Sequence, residues 1–460
     1  MLSAKKFDWP FYRRLLMVAL PIIIQNGITN FVALLDNVMV GQVGTVQMSG
    51  VAIVNQLMFV FNLCVFGATS GAGIFTAQFY GSGNDRGIRD TFRFKILVAI
   101  GLTVTGIGIF LVGGDALIGL YLEGDPGSAE ALETLHYGRR YLMAALFGLA
   151  PFALANAYSG TLREIGETTV PMKAGIAAVF VNLVLNYVLI FGHFGAPELG
   201  VVGAAIATAV SRYVELAMVA FWTHTNRERC AFIVGAYKSL RIPAELTKKI
   251  ILKGMPLLVN EFFWSTGMAF LSQCYSTRGL AVVAAFNIAT TIGQVSNVVF
   301  LSLGNAVGIL MGQMLGAGHP AEQIRRDNRR MIAMSVVVCF GIGGLVIALS
   351  GLFPKMYNTT EEVRAIATGL ICITALMMPV NSYNNAMYFT LRSGGQTFIT
   401  FLFDSGFTWA VCVPVAFCLS RFTDLPIMPL YAICAGMDAL KIGLGAYFLK
   451  KGTWINRLAE

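Results

Sequence analysis

Charged residues are scarce in this sequence. Asp, Glu, Lys and Arg together make up 12% of the 460 residues, against about 25% in an average soluble domain. No stretch of domain size has ordinary charge density, which excludes a large soluble domain. Hydrophobic residues account for 56%, and the length accommodates about twelve spans at about 35 to 40 residues per span with its loop. The sequence therefore predicts an all-α membrane protein with twelve transmembrane helices.

Residues of metal and redox chemistry are also sparse. The four histidines fall at predicted loops or helix ends, and the eight cysteines contain no CxxC pair, which argues against a zinc site and a disulfide framework. HExxH and GxSxG motifs are missing, so a membrane-embedded enzyme is disfavoured and no cofactor is expected. The net charge of +9 comes from basic residues in short loops, without a basic face interleaved with aromatics, which excludes a nucleic-acid partner.

Apolar runs separated by charged or glycine- and proline-rich breaks predict the twelve helices. Their expected positions are 15–40, 47–80, 94–114, 137–160, 168–192, 200–222, 248–276, 281–316, 330–352, 364–391, 397–420 and 428–449. Basic residues such as Lys5, Lys6 and Arg325 collect on one side of this arrangement, whereas Glu123 and Asp125 lie in a loop on the other side. The positive-inside rule then predicts a multi-pass protein of the plasma (inner) membrane with both termini in the cytoplasm.

The sequence repeats itself at half its length. Three short motifs recur 229 or 235 residues downstream: 161–163 as 390–392, Pro21 as Pro256, and 78–83 as 313–318. Because six helices separate the copies, both halves share one orientation, which indicates parallel repeats about an axis along the membrane normal. We predict two six-helix lobes around a central cleft, an arrangement suited to alternating access. The expected boundaries are 1–222 for the N-terminal lobe, 223–247 for a basic cytoplasmic linker and 248–460 for the C-terminal lobe.

Three carboxylates within the predicted spans differ between the two halves. Asp36, Glu261 and Asp404 each correspond to an uncharged residue of the other repeat. A charged Asp at a helix centre costs about 2.5 to 3.5 kcal/mol on insertion scales, so such residues normally face a protein interior or a water cavity. Residues needed for the fold tend to recur in both halves. The asymmetry therefore favours specific roles for these acids.

Asp36 can reach neutral oxygen ligands if the fourth to sixth predicted helices pack beside it. Asn182 and Asn186 lie one turn apart on one helix face, and Asn156 and Thr208 lie on the neighbouring helices. One carboxylate with several neutral oxygens suits either Na+ or a protonatable switch. We predict that these five residues form an ion- or proton-coupling site, with Asp36 and Asn182 as metal ligands if Na+ is the coupling ion. The alternative for Asp36 is a capping or interhelical hydrogen bond.

Glu261 and Asp404 are placed among aromatic residues. Glu261 precedes Phe262, Phe263 and Trp264, and Asp404 shares its predicted helix with a tryptophan. An acid beside aromatic rings suits an amphiphilic organic cation through charge pairing and cation–π contact. Proton transfer and a structural contact to a neighbouring helix are the alternatives for both acids.

Other charged and small residues in the spans favour structural roles. Arg212 with Glu215, and Asp438 with Lys441, have i,i+3 spacing, so each pair can neutralise itself on one helix face. Glycines repeat every four residues over 304–316, which predicts close helix packing.

Together, the motifs resemble the multidrug and toxic compound extrusion (MATE) family over essentially the whole chain. The matching pieces are LDNVMVG at 35–41, AQxxG at 77–81, GQxxGAG at 312–318 and LRSGGQT at 391–397. The resemblance implies two six-helix lobes in a V shape and export of organic, often cationic, compounds in exchange for inward H+ or Na+.

The resemblance also assigns site residues and shows two departures. It implies that the N-lobe cation site is the cluster around Asp36. Many relatives have an Asp where this chain has Asn186, and some have acids in the tenth helix, where this chain has Asn381, Asn384 and Asn385. The candidates for substrate binding or C-lobe coupling are then Glu261, Asp404, Asn381 and Asn385.

These observations predict a cation-coupled antiporter that works by alternating access. We expect a small cationic, amphiphilic organic substrate, transported H+ or Na+, and a monomer that has the lipid bilayer as its surroundings. A lipid-linked oligosaccharide flippase of the same superfamily is the alternative. It is less favoured because such proteins commonly carry several cationic residues in the cavity, whereas here Arg212 and Lys441 lie deep and each has an acid beside it.

Overall fold

The computed structural model describes residues 8–121, 128–357 and 359–459, except for the side chains of Leu34, Asn37, Val38 and Thr45. Four residues used for the orientation prediction lie outside this range: Lys5, Lys6, Glu123 and Asp125. Within the described residues the chain consists of helices joined by turns and loops, and it contains no β-strand.

Most helices follow one another with short connections, and a longer connection, 226–243, joins α7 to α8. Their bounds are α1 Trp9–Gly41, α2 Thr45–Gly81, α3 Asp85–Gly119, α4 Ala129–Ala145, α5 Leu149–Glu164, α6 Thr169–Phe191, α7 Val201–Thr225, α8 Ala244–Ser276, α9 Leu280–Gly316, α10 Ala321–Leu349, α11 Glu361–Ser393, α12 Thr397–Phe401, α13 Val413–Phe422, α14 Ile427–Gly436 and α15 Leu440–Lys451. A 3₁₀ turn joins α4 to α5, π-helical turns join α12 to α13, and a 3₁₀ turn joins α14 to α15. Counted as continuous segments, the described residues therefore confirm the twelve predicted helices.

Length and hydropathy qualify these segments as membrane spans. Among the described residues, eleven helical segments are long and apolar enough to cross a membrane. The remaining segment is α8, which carries Asn260 and Glu261 near its middle. Polar side chains in the middle of a span lower its mean hydropathy, and such side chains usually have a functional role.

Several helices begin earlier than the hydrophobic pattern predicts. α3 begins at Asp85, where the side chain of Asn84 accepts a hydrogen bond from the backbone N of Gly87 at 2.9 Å. Likewise, Ser128 caps α4 by accepting from the backbone N of Ala131 at 3.2 Å. These caps satisfy amide donors that the helix itself leaves free, so a polar first turn precedes the apolar run. Hydrophobicity alone therefore underestimates the length of such helices.

The chain divides into two compact units. Unit 1 comprises 1–23, 77–83 and 255–460, and unit 2 comprises 24–76 and 84–254. The first residues of α1 and the end of α2 thus belong with the C-terminal part of the chain. The predicted lobe boundaries, which follow chain order, stay a prediction.

The basic segment 223–247 lies within unit 2 and packs against α3. Arg89 on α3 donates from Nε to the carbonyl of Phe232 at 3.0 Å, and Arg93 donates from Nη2 to the carbonyl of Gly235 at 2.9 Å. Phe232 is buried. Charged donors aimed at backbone carbonyls make strong hydrogen bonds, so α3 holds this segment in place.

In unit 1, the glycines of α9 permit close packing, as predicted. A Cβ at Gly304 or Gly308 would lie 2.8 to 3.3 Å from Phe389 on α11. At the end of α9, a Cβ at Gly316 would lie 1.8 Å from the carbonyl oxygen of Gln78. This approach explains one repeated motif, because the two Gln-x-x-Gly copies meet at the ends of α2 and α9. A Cβ at Gly81 would likewise lie 1.9 Å from a backbone oxygen of α9.

Replacing Gly316 by Ala should destabilise the protein by about 1–3 kcal/mol, because the added methyl group overlaps the carbonyl of Gln78. Thermal unfolding in detergent measures the effect. Gly341→Ala on α10 is the matched control, since a Cβ there meets nothing within 4 Å. Equal melting temperatures for the two variants would contradict the predicted packing role.

Candidate functional site

Asp36 lies near the end of α1 and is joined to α6 within unit 2. Asn186 donates from Nδ2 to Asp36 Oδ1 at 2.6 Å. The amide of Asn182, one turn earlier, satisfies its neighbours when its NH2 group faces the carboxylate. In that orientation Asn182 donates to Asp36 Oδ1 at 3.0 Å and Oδ2 at 3.1 Å. The structure thus brings together three of the five residues predicted for the coupling site.

Thr208 on α7 extends the same cluster. With its NH2 toward Asp36, Asn182 accepts through its oxygen from the backbone N of Thr208 at 3.3 Å and from its Oγ1 at 3.2 Å. Asn156, by contrast, is half-buried on α5 and makes none of the hydrogen bonds that join these described side chains. The structure therefore joins four of the predicted residues and leaves Asn156 outside their hydrogen-bond network.

The cluster retains an unused acceptor. Asn186 is 1% exposed, and its Oδ1 has no hydrogen-bond partner among the described residues. Leaving a buried polar atom unsatisfied costs about 1–3 kcal/mol. A cation beside Asp36 would satisfy this oxygen and the carboxylate together, and neutral oxygens with one carboxylate suit a hard monovalent ion. The described residues contain no group of three or more His, Cys, Asp or Glu that could hold a metal ion.

Arg212 on α7 is a basic residue whose charge influences the Asp36 cluster. It forms the predicted pair with Glu215 at 3.0 Å and lies over the ring of Phe152 at 5.2 Å from the centroid. Its charge also acts on Asp36. The arginine thus compensates its own acid and contributes positive potential at the carboxylate of α1.

Asp404 lies in unit 1 where the helix is π-helical. The two π-helical turns span Leu402–Gly406 and Thr408–Cys412. Asn260 on α8 donates from Nδ2 to Asp404 Oδ2 at 3.0 Å, and it also accepts from the hydroxyl of Ser405 at 2.7 Å. π-Helical turns inside α-helices occur frequently at functional sites, and here the turn carries a carboxylate fixed by a neighbouring helix.

Lys441 is shared between two acids, which corrects the interpretation of the Asp438 and Lys441 pair as self-contained. Lys441 Nζ lies 3.0 Å from Asp438 Oδ1 and 3.8 Å from Asp404 Oδ1. Spacing on one helix identified the first contact. The second requires the packing of α15 beside the π-helical segment, which the sequence does not reveal.

Glu261 belongs to the same neighbourhood. It follows Asn260 on α8, is half-buried, and experiences the charges of Arg392 and Asp404. The guanidinium of Arg392 lies over the ring of Phe389 at 5.4 Å. Glu261 and Asp404 thus form an acidic region in unit 1 whose nearby cations are Arg392 and Lys441, among the described residues.

Aromatic side chains adjoin this acidic region. Trp409 donates from Nε1 to the carbonyl of Phe263 at 2.8 Å, and the two rings are 6.4 Å apart. The other predicted residues make local contacts: Asn385 donates to the carbonyl of Asn381 at 3.0 Å on the same helix, α11. Neither asparagine is hydrogen-bonded to the described carboxylates of this region.

Lys95 is a buried charge that sequence reasoning missed. Its side chain is 1% exposed and forms an ion pair with Glu164, and it donates to Thr161 Oγ1 at 3.2 Å. Glu164 in turn lies against Gly73, where a Cβ would be 2.3 Å from its Oε1. The sequence contains one indication, since Thr161 begins a repeated motif. Lys95, which donates a hydrogen bond to Thr161, lies on another helix, so the motif alone does not reveal the contact.

Replacing Lys95 by Met should cost about 3–5 kcal/mol, because the half-buried carboxylate of Glu164 would lose its ion pair with the buried lysine. The double variant Lys95→Met/Glu164→Gln should recover most of the loss. Chemical unfolding in detergent compares them. Lys249→Met, at an exposed pair with Glu245, should change stability by less than about 1 kcal/mol, and a similar loss there would refute the buried-pair explanation.

Comparison with known families gives a match over most of the chain. The family model MatE matches residues 21–188 and 256–417. The chain is 25% identical over 450 residues to the "Probable multidrug resistance protein NorM" of Thermotoga maritima, covering 97% of this chain and 93% of that protein. It is 26% identical to the "Probable multidrug resistance protein NorM" of Shewanella oneidensis, covering 93% and 91%.

Solved structures agree in fold. A "Crystal structure of MATE in complex with MaL6" superimposes with a TM-score of 0.85 at 18% identity and covers 96% of both chains. The similarity at this identity concerns the fold, and it extends over nearly the entire length of the chain.

Proposed function

Because the chain belongs to the MatE family, we propose that it exports organic cations across the plasma membrane in exchange for inward-moving H+ or Na+. The Asp36 cluster supports this proposal most directly. It combines a carboxylate, two amides and a hydroxyl from three helices, and it leaves a buried acceptor on Asn186. Such a donor set suits a small cation that must bind and leave again.

Coupling requires that the two ligands favour different conformations. A cation that binds Asp36 more tightly in one state shifts the protein toward that state, and the shift is limited by the difference in affinity. The organic cation must prefer the other state. We place its binding at the acidic region of Glu261 and Asp404, where aromatic rings adjoin two carboxylates. Alternating access then converts the inward cation gradient into export.

The orientation proposed here has both termini in the cytoplasm. Arginines lie at the beginnings of α3 and α10, and further basic residues line the segment 223–247. The positive-inside rule assigns such segments to the cytoplasmic side. We propose a monomer in which each chain carries a complete set of these sites.

A lipid-linked oligosaccharide flippase is not favoured. A pyrophosphate substrate needs cationic side chains that are free to receive it. Arg212 lies 3.0 Å from Glu215, and Lys441 lies 3.0 Å from Asp438. These two cations are thus already compensated by acids.

An exchange assay in proteoliposomes tests the proposed function. Purified protein is reconstituted with ethidium and a panel of organic cations, and pH and Na+ gradients are imposed separately. We expect uphill export with at least one gradient and none without a gradient. Transport that is independent of both gradients would overturn the proposal. So would the absence of transport for every organic cation tested.

A further inference from the structure

Lys441 and Arg212 occupy equivalent positions in the two repeats. They are 229 residues apart, which is the spacing that relates the motif beginning at Thr161 to the one beginning at Thr390. Each has an acid three residues away on its own helix and acts on a second acid from another helix. The carboxylates of the spans are asymmetric, but their resident counter-cations recur in both repeats.

The surroundings of Lys441 are those of a bound ammonium ion. Its Nζ lies 3.0 Å from Asp438 and 3.8 Å from Asp404, and it is 5.3 Å from the ring centroid of Phe407 and 5.9 Å from that of Phe403. A carboxylate with flanking aromatic faces is the arrangement by which proteins recognise organic ammonium ligands. Here the ligand position is filled by a side chain of the protein itself.

The two contacts of the lysine are unequal. The Asp438 contact has hydrogen-bonding distance, whereas the contact with Asp404 is longer by 0.8 Å. Asp404 is also 27% exposed, although Lys441 is only 8% exposed. Asn260 fixes the other oxygen of Asp404. Lys441 can therefore stay paired with Asp438 while another cation takes its place beside Asp404.

We propose that Lys441 is an internal competitor for an organic-ammonium site formed by Asp404, Phe403 and Phe407. The substrate ammonium takes the place beside Asp404 when the lysine withdraws to Asp438, and the lysine returns when the substrate leaves. Asp404 thus has a cation beside it in both situations, and a carboxylate without one would be costly in the membrane interior. This inference rests on the proposed export of organic cations and names the subsite for their charged group.

The net charge of the groups around Asp404 allows one more cation to bind. Glu261 and Asp438 are acidic, Arg392 acts on Glu261, and Tyr388 and Cys412 experience the same acids. With Asp404, three carboxylates face two basic groups in this described region. One monovalent organic cation therefore brings the cluster to neutrality.

Two substitutions with opposite expected effects test the proposal. Ethidium binding to purified protein in nanodiscs is measured by fluorescence titration at pH 8. Lys441→Met removes the competitor and should tighten binding by about tenfold or more. Asp438→Asn leaves Lys441 with Asp404 alone and should weaken binding by about fivefold or more. Asp404→Asn should abolish the gain in the Lys441→Met background, and Lys249→Met, at an exposed lysine, should have wild-type affinity.

A purely structural lysine gives a different pattern. In that case Lys441→Met and Asp438→Asn would both weaken binding, and this result would overturn the inference. If Lys441→Met does not fold, as judged by its melting temperature, Lys441→Gln provides the same loss of charge. Failure of the proposed function is distinct, because the wild-type protein would then neither bind nor export ethidium in the exchange assay.

Discussion

Asp36→Asn should reduce gradient-driven ethidium export to the background of protein-free liposomes. The amide keeps the size of the side chain but can neither carry a proton nor compensate a bound cation, so the inward gradient loses its binding group. The protein should stay folded, because Asn186 can turn its amide and offer its unused Oδ1 to the new NH2 group. Initial rates in proteoliposomes, with the pH and Na+ gradients imposed in turn, measure the effect.

Two comparisons make this result specific. Ethidium binding to Asp36→Asn should equal that of the wild type, since the organic-cation site is proposed for unit 1. Asp115→Asn, at a carboxylate 54% exposed and paired with Arg139, should leave export unchanged. Persistence of gradient-driven export in Asp36→Asn would remove Asp36 from the coupling mechanism.

The helices were predictable because each is an apolar run with a defined break. Their starts were not, because caps such as Asn84 and Ser128 lie outside the apolar run. The interruption within α12 to α13 was also missed: its residues have the pattern of an ordinary apolar helix. Likewise, the assignment of the first part of α1 to unit 1 depends on packing between distant segments, for which local pattern contains no information.

The Asp36 cluster shows what spacing can reveal. Asn182 and Asn186 are four residues apart, so their shared helix face was predictable. Their contact with Asp36 was predictable only on the assumption that α1 and α6 are neighbours. Lys441 required more. Its partner Asp438 was visible on the same helix, but Asp404 is reached through tertiary packing. Lys95 is the limiting case, since in sequence it resembles the arginines that precede it on α3.

The proposed tasks of the two units differ, in line with their charge placement. In unit 2, Asp36 is surrounded by amides that suit a small ion. In unit 1, Asp404 is flanked by a lysine and aromatic rings that suit an organic cation. The equivalent basic residues Arg212 and Lys441 each pair with an acid on their own helix and act on one acid from another helix. The internal cations thus recur at equivalent positions, whereas the acids of the spans differ between the two repeats.

Glu261→Gln should lower the initial rate of ethidium export by about tenfold or more, because it removes a negative charge from the region proposed to bind the organic cation. The loss should arise in binding. The fluorescence titration in nanodiscs should therefore show weaker ethidium affinity, in contrast to Asp36→Asn, which loses export with binding intact. Together the two variants separate substrate recognition from coupling.

The matched control for Glu261 lies on the same helix. Glu245→Gln near the start of α8 removes an equal charge from a side chain that is 81% exposed, and export should remain at the wild-type rate. If Glu261→Gln bound ethidium normally but failed to respond to the imposed gradient, Glu261 would belong to the coupling mechanism. The acid of unit 1 would then share the task proposed for Asp36, and the organic cation would depend on Asp404 for its charge pairing.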